Sequence, residues 1–440
     1  MSHNRAKPSP RCLCLWLALA LPATWSVAHS DTALPEPLTL SVALEQAANP
    51  RHFEVVEINQ RLQNMAAQLG IERGNQDFSI DLTGRLRQVG LSDAAIGEDD
   101  GGDNAASLIL NKPIYDFGLQ DSREHRYELR IEALEQQRQL LIERRRLDIL
   151  AKYIDVLNAD NRYLSENEAL AIAFIRFDNA RQDQELGSVA EVDVLRLQSE
   201  YEIVRSRRHL AQQGQRLTRS ILAEAMGYPG ELSERLEFPG DIDARSFDAS
   251  IDELMARALE HSLEARVAVA NTRAAQAAMQ IAESTDGPSL ELELEVSTYE
   301  RETRTRDDWR AGLYIEIPLY RGSSGAQQLQ ASSHYQRVLA EQQQTQSQLR
   351  IEVLKLWQQL QQLALEIQGR NIEQEFRDLD LDRSRAEYEL EFKTNLGDAM
   401  VNYSRSNEAR LRTLYAYELA YQRLAALVGE DFLTAKTIAE

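Results

Sequence analysis

Residues 289–298 read SLELELEVST, a pattern with a period of two. Leu290, Leu292, Leu294 and Val296 fall on one side of an extended chain, and Glu291, Glu293 and Glu295 on the other. Such alternation predicts a strand with one apolar and one acidic face. Residues 309–317 do the same: Trp309, Ala311, Leu313, Ile315 and Ile317 alternate with Arg310, Gly312, Tyr314 and Glu316. A rougher pair lies upstream. Over 78–86, Phe78, Ile80, Leu82 and Leu86 alternate with Ser79, Asp81, Thr83 and Arg85. Residues 106–114 are apolar without clear alternation, so their faces stay unassigned. Each segment is about ten residues, the length a tilted strand needs to cross a bilayer. A soluble sheet with one face on a core shows the same pattern. The N-terminal leader described below, and the lack of a flanking core-forming segment, favour the membrane.

The rest of the chain has helical periodicity. No proline or glycine interrupts 120–185, about 100 Å of helix at about 1.5 Å per residue. Leu147, Leu150, Ile154, Leu157 and Leu164 mark one stripe, and Leu349, Val353, Leu356, Leu360, Leu363 and Ile367 another. Alternating steps of three and four make a coiled-coil seam, and the remaining faces, rich in Gln, Glu and Arg, are solvated. Helices this long must pack side by side as hairpins. The turns are expected where periodicity breaks, at Leu186-Gly187-Ser188 and at Lys393-Thr394-Asn395-Leu396-Gly397, with Ser188, Thr394 or Asn395 able to cap the returning helix.

The features of 38–240 recur in 250–430 in one order. A periodic helix (38–74, then 251–284) precedes two alternating segments, a proline and two long helices, closing at Met226-Gly227 and Val428-Gly429. This divides the chain into a leader, 1–30, and two repeats, 31–240 and 241–440. The leader reads as a secretory signal: Arg5, Lys7 and Arg11 precede the apolar run 12–21, and Ser26-Val27-Ala28 offers a cleavage site.

Composition narrows the possibilities. Among 440 residues, Lys plus Arg number 49 and Asp plus Glu 70, a formal charge of -21. Removing 1–28 takes away three basic residues and no acid, leaving -24, and removes both cysteines, Cys12 and Cys14. A mature chain without cysteine has no disulfide. So acidic a chain lacks the basic face that nucleic acid requires. No phosphate loop, nucleotide fingerprint or Cys/His metal spacing occurs. Asp121 and His125 share a helix face at i, i+4, a spacing that could grip a metal but here reads as solvated surface. Nothing argues for catalysis or a cofactor.

Three segments carry a resemblance to the TolC family of outer-membrane channel proteins. The first is Leu40-Ser41-Val42-Ala43-Leu44-Glu45-Gln46-Ala47 with Asn49-Pro50. The second comprises Pro113-Ile114-Tyr115-Asp116-Phe117-Gly118 and Ile317-Pro318-Leu319-Tyr320. The third is Leu186-Gly187-Ser188-Val189 followed by Asp193-Val194-Leu195-Arg196-Leu197-Gln198, similar to the family's hairpin tip. The second tip departs from the pattern, with Lys393 where glycine is usual, Ala399 where the aspartate would fall, and Asp398 one position off.

The resemblance implies a mainly α fold with a small β-barrel contribution. Duplicated antiparallel hairpins form a coiled-coil α-barrel, and four transmembrane strands per chain are completed in a homotrimer as a twelve-stranded barrel. Loops 90–104 and 301–307 would lie outside the cell, and 227–249 in an equatorial region. Phe78, Ile80, Leu82, Leu290, Leu292, Leu294, Trp309, Leu313 and Ile315 would face lipid. Asp81, Arg85, Glu291, Glu293, Glu295 and Glu316 would face the lumen. Leu186, Gly187, Asp193, Lys393, Asn395, Gly397 and Asp398 would form the periplasmic tips that meet an adaptor. The implied role is a passive exit duct in the outer membrane of a Gram-negative bacterium, extending into the periplasm. It would serve a tripartite efflux pump or type I secretion system, with a periplasmic adaptor and an inner-membrane transporter as partners. A periplasmic scaffolding coiled coil without a channel is the alternative.

Overall fold

Two very long helices dominate the chain: α3 (Leu119–Glu185) has 67 residues and α7 (Ser324–Glu389) has 66, each about 100 Å long. A computed structural model describes residues 36–90, 101–230, 235–237, 249–284, 287–301, 306–390 and 395–430. The leader, the 240/241 repeat boundary, most of both strand-connecting loops, Lys393 and Thr394 lie outside the described residues.

In chain order the remaining elements begin with α1 (Leu40–Glu45), α2 (Phe53–Gly74), β1 (Ser79–Arg85), β2 (Gln88–Val89), β3 (Gly101–Gly102) and β4 (Ala105–Tyr115). After α3 come α4 (Glu191–Met226), α5 (Ile251–His261), α6 (Leu263–Ser284), β5 (Ser289–Tyr299) and β6 (Trp309–Glu316); after α7 comes α8 (Leu396–Val428). The two halves therefore run through matching elements: α2, β1, β4, α3 and α4, then α6, β5, β6, α7 and α8.

Away from the sheet, α4 folds back along the second half of α3 and α8 along that of α7, and neighbours run α4–α3–α8–α7. Nearer the sheet, the short helices replace them, in the order α2–α3–α6–α7. The seams are apolar. Ile149, Leu150, Tyr153, Ile154 and Leu157 are buried on α3, and Val353, Leu356, Leu360 and Ile367 on α7 pack with Tyr417, Leu424 and Leu254. One expected seam position fails: Leu164 is exposed, and Ser165 and Ala169 are buried instead. A straight helix drifts about 20° per heptad from a seven-residue repeat, so a row extended past Leu157 rotates out of the seam.

The opening helices are also shorter than the periodicity of 38–74 and 251–284 predicts. Asn49 stands before Pro50 in non-helical geometry (ψ 118°), and α2 starts only at Phe53, with His52 as its N-cap accepting from Glu54 N. Proline disfavours helical geometry in the residue before it. In the second half, Ser262 (ψ 142°) ends α5, and its Oγ accepts from Ala265 N to start α6.

The four long strands form one antiparallel sheet in the order β1-β4-β5-β6, and β2 and β3 make a two-residue ribbon beside it. Observed strand limits lie within two residues of those read from alternation. Both outer strands, β1 and β6, have an unpaired edge among the described residues.

Candidate functional site: the sheet faces and the hairpin tips

The register decides what each face of the sheet carries. Ile80, Leu110, Leu294 and Ala311 stand side by side across four strands, as do Leu82, Leu108, Val296 and Trp309. Leu292 pairs with Leu313, and Leu290 with Ile315. Phe78 precedes β1 on the same parity. The nine positions that the resemblance assigned to lipid therefore share one face of the sheet. That face is uncovered: Leu82 is 77% exposed, Trp309 70% and Leu313 60%. Pairing also assigns 106–114, which its own pattern could not. Leu108 and Leu110 join the apolar face, Lys112 interrupts it beside Leu292, and Ile109 lies on the polar face between Asp81 and Glu295.

The opposite face is polar and interconnected. Asp81, Ile109, Glu295 and Arg310 form one row, and Ser79, Asn111, Glu293 and Gly312 the next. Arg310 bridges Glu295 closely and reaches Glu293 at 3.5 Å. Ser297 Oγ donates to Glu295 Oε1 at 2.6 Å and Tyr314 Oη to Glu293 Oε1 at 3.4 Å. Glu291, opposite Pro113 and Tyr314, makes no ion pair among the described residues, and Glu316 lies 3.9 Å from Arg321. The sequence shows Arg310 as one of two bases on this face; only the register shows it joining two of the three glutamates.

At the end of the sheet away from the helices, Asp103 is buried beneath three arginines. Arg306 donates to it at 2.6 Å, Arg87 bonds it closely, and Arg85 stands 3.9 Å away. The Arg306 hydrogen bond, then that of Arg87, holds its carboxyl below the usual range. Arg85, expected on the lumen side, is thus engaged at the rim, and the cluster ties the two strand-connecting segments together.

The hairpin tips lie at the far end of the helices. Leu186 closes α3 and is 82% exposed, and Gly187 takes φ +76°, a left-handed conformation that costs glycine nothing. Ser188 does not cap α4 as expected. Its Oγ donates to Asp183 O, closing α3, and Ala190 is the N-cap of α4. The reason is distance along the chain: a capping side chain bonds the N–H two or three residues on, inside the helix it opens. Asp193 sits in the first turn of α4, where a carboxylate favours the helix dipole, 4.0 Å from Arg196.

In the second tip, Asn395 occupies the N-cap of α8 without a side-chain cap bond. Asp398 pairs with Arg176 of α3 at 2.6 Å, a partner that sequence did not single out. Gly397 lets the helices approach, because a Cβ there would lie 2.7 Å from Ile172 Cγ2. The second tip therefore meets α3 at Ile172 and Arg176, about 15–21 Å short of the first tip. His125 approaches Glu128 rather than Asp121, and no cluster of metal-ligating residues exists among the described residues.

No family profile and no curated protein matches the sequence. Solved structures do. VceC, an outer membrane protein from Vibrio cholerae, superposes with a TM-score of 0.69 at 17% identity, over 90% of this chain and 97% of that one. CmeC, an outer membrane channel of Campylobacter jejuni, gives 0.72 at 14%, over 91% and 88%. The chain has the outer-membrane channel fold. MtrE of Neisseria gonorrhoeae, an outer membrane channel in its open state, gives 0.64 at 15%, over 90% and 91%. Within this channel fold, a sheet apolar on one face and acidic on the other crowns two helical hairpins, as the TolC resemblance implied.

Proposed function

We propose that the protein is a passive exit duct of the outer membrane of a Gram-negative bacterium, reaching into the periplasm. The observation that carries this reading is the uncovered apolar face of a sheet open at both edges. An apolar face of that extent calls for lipid, yet unpaired edge N–H and C=O groups find no partner there. Closure with further copies satisfies both demands. β1 of one chain meets β6 of the next, and three copies make twelve strands with the apolar face outward. Asp81, Arg85, Glu291, Glu293, Glu295 and Glu316 then line the lumen, and Phe78, Ile80, Leu82, Leu290, Leu292, Leu294, Trp309, Leu313 and Ile315 face lipid.

The hairpins continue the duct away from the membrane. Leu186, Gly187, Asp193, Lys393, Asn395, Gly397 and Asp398 present the tips to a periplasmic adaptor, and an inner-membrane transporter supplies the energy. The duct serves a tripartite efflux pump or a type I secretion system. It needs no cofactor, no nucleic acid and no catalysis of its own.

Membrane fractionation and planar-bilayer recording test the reading together. The expected result is a detergent-dependent trimer that conducts. A chain that stays monomeric and soluble without detergent overturns it and leaves the scaffolding coiled coil.

A further inference from the structure

We propose that a second copy of this chain docks its α7 against α4 in one antiparallel register: Ile203 opposite Leu379, Leu210 opposite Ile372, Leu217 opposite Leu365, and Arg207 facing Glu375. The proposal rests on the oligomeric-duct reading and adds which helices meet, at what height, and through which side chains.

In the lower helical layer α4 and α7 are the two ends of the row, each packed on a single helix of that row. Each shows apolar side chains on its free face at seven-residue steps. On α4 these are Ile203, Leu210 and Leu217, exposed by 51–61%; on α7 they are Leu365, Ile372 and Leu379, exposed by 64–70%. Apolar residues at that spacing are what one helix offers another in a coiled coil. Nothing within the described chain covers either stripe.

The flanking charge says what does. Residues 203–223 carry five arginines and no carboxylate, in a chain of formal charge -21. Residues 366–382 of α7 carry six carboxylates and two arginines. Arg207 and Glu375 are both exposed, and neither has an ion-pair partner among the described residues. The chain thus carries a basic apolar edge and an acidic apolar edge that complement each other across copies.

Contacts within the chain fix their relative heights. Arg208 donates to Tyr163 Oη at 2.6 Å and Gln215 to Asp160 at 2.8 Å, levelling α4 with α3. Ser404 bonds Glu168, levelling α3 with α8, and Thr413 Oγ1 donates to Glu366 at 3.3 Å, levelling α8 with α7. Following these steps puts Leu210 within about a turn of Ile372 along the axis. A closed ring has no rise from copy to copy, so heights within one chain hold for its neighbour. Leu210 with Ile372 then brings the other two apolar pairs, and Arg207 with Glu375, into line, because α4 and α7 run in opposite directions.

The test uses membrane-embedded full-length protein, whose mature chain has no cysteine of its own. Leu210→Cys with Ile372→Cys should give covalent dimers and trimers on oxidation. Leu210→Cys with Leu365→Cys, about 10 Å out of register, should lose them. Arg207→Glu should lower the temperature at which the trimer dissociates, and adding Glu375→Arg should restore it. Preferential linkage of the shifted pair overturns the register. Linkage only to a different protein, or free maleimide labelling of both cysteines in a conducting trimer, overturns the seam while the duct reading survives. A chain that neither trimerises nor conducts overturns both.

Discussion

Arg145 sits where the chain's first segment, α2, α3 and α4 converge, and its guanidinium serves all of them. Nε donates to Ala47 O at 2.8 Å, one terminal nitrogen to Ala225 O at 2.8 Å, and the other to Glu54 at 2.9 Å. It therefore splices the end of α4 to the start of α2, and Asn49 Nδ2 adds a bond to Met226 O at 2.9 Å. Arg145→Met should cost about 2–6 kcal/mol, because two buried acceptors are stranded at about 1–3 kcal/mol each. The check is thermal unfolding followed by circular dichroism. A second consequence concerns acid. Burial, and then the neighbouring Arg145 charge, lowers the His52 pKa below 6.5, against the opposing pull of Glu54, Glu224 and Asp148. The unfolded chain therefore takes up this proton more readily than the folded one. Stability from neutral His52 is complete above pH 6.5 and is lost as pH falls through the folded value. His52→Asn keeps an N-cap acceptor and should flatten the acid side of a melting profile between pH 5 and 8. Parallel profiles for the variant and the wild type would clear His52 of that slope.

Strands and hairpins make separate predictions. If the apolar face meets lipid, Leu292→Arg should destabilise by about 2–4 kcal/mol near the midplane. Glu291→Arg, one residue along on the other face and free of the Arg310 network, should fold as well as wild type. Equal trimer yield from both variants would sink the topology. At the tips, Asp193→Ala should raise single-channel conductance if its charge helps hold the entrance shut, and an unchanged closed state would remove Asp193 from the gate. Much of this architecture is legible in the sequence, for physical reasons. A strand exposed to different media on its two faces must alternate, so 289–298 announces both faces. β4 does not announce them: Lys112 falls on the apolar face, Ile109 on the polar one, and only the neighbour's register sorts them. Long seams are legible for some turns and then mislead, as at Leu164, because helical and heptad periods differ. Ion pairs such as Arg176 with Asp398 join residues far apart in the chain, and no local pattern encodes them.

The proposed trimer would have a property that no single strand has. On the polar face of the sheet each chain sets Asp81, Glu291, Glu293, Glu295 and Glu316 against Arg85 and Arg310, a net of three negative charges. In the proposed trimer, a threefold ring of such faces would concentrate cations in the lumen. The acids are unequal, however. Arg310 offsets Glu293 and Glu295 at close range, whereas Glu291 has no ion pair among the described residues. Charge on the outer helix surfaces contributes little, being screened beyond about 8–10 Å. The pore should therefore prefer cations, and Glu291→Gln should weaken the preference more than Glu295→Gln does. Arg310→Gln should strengthen it by releasing two carboxylates per chain. Reversal potentials in planar bilayers under a salt gradient measure all three. An anion preference, or indifference to Glu291→Gln and Arg310→Gln alike, would mean that this face does not line the pore.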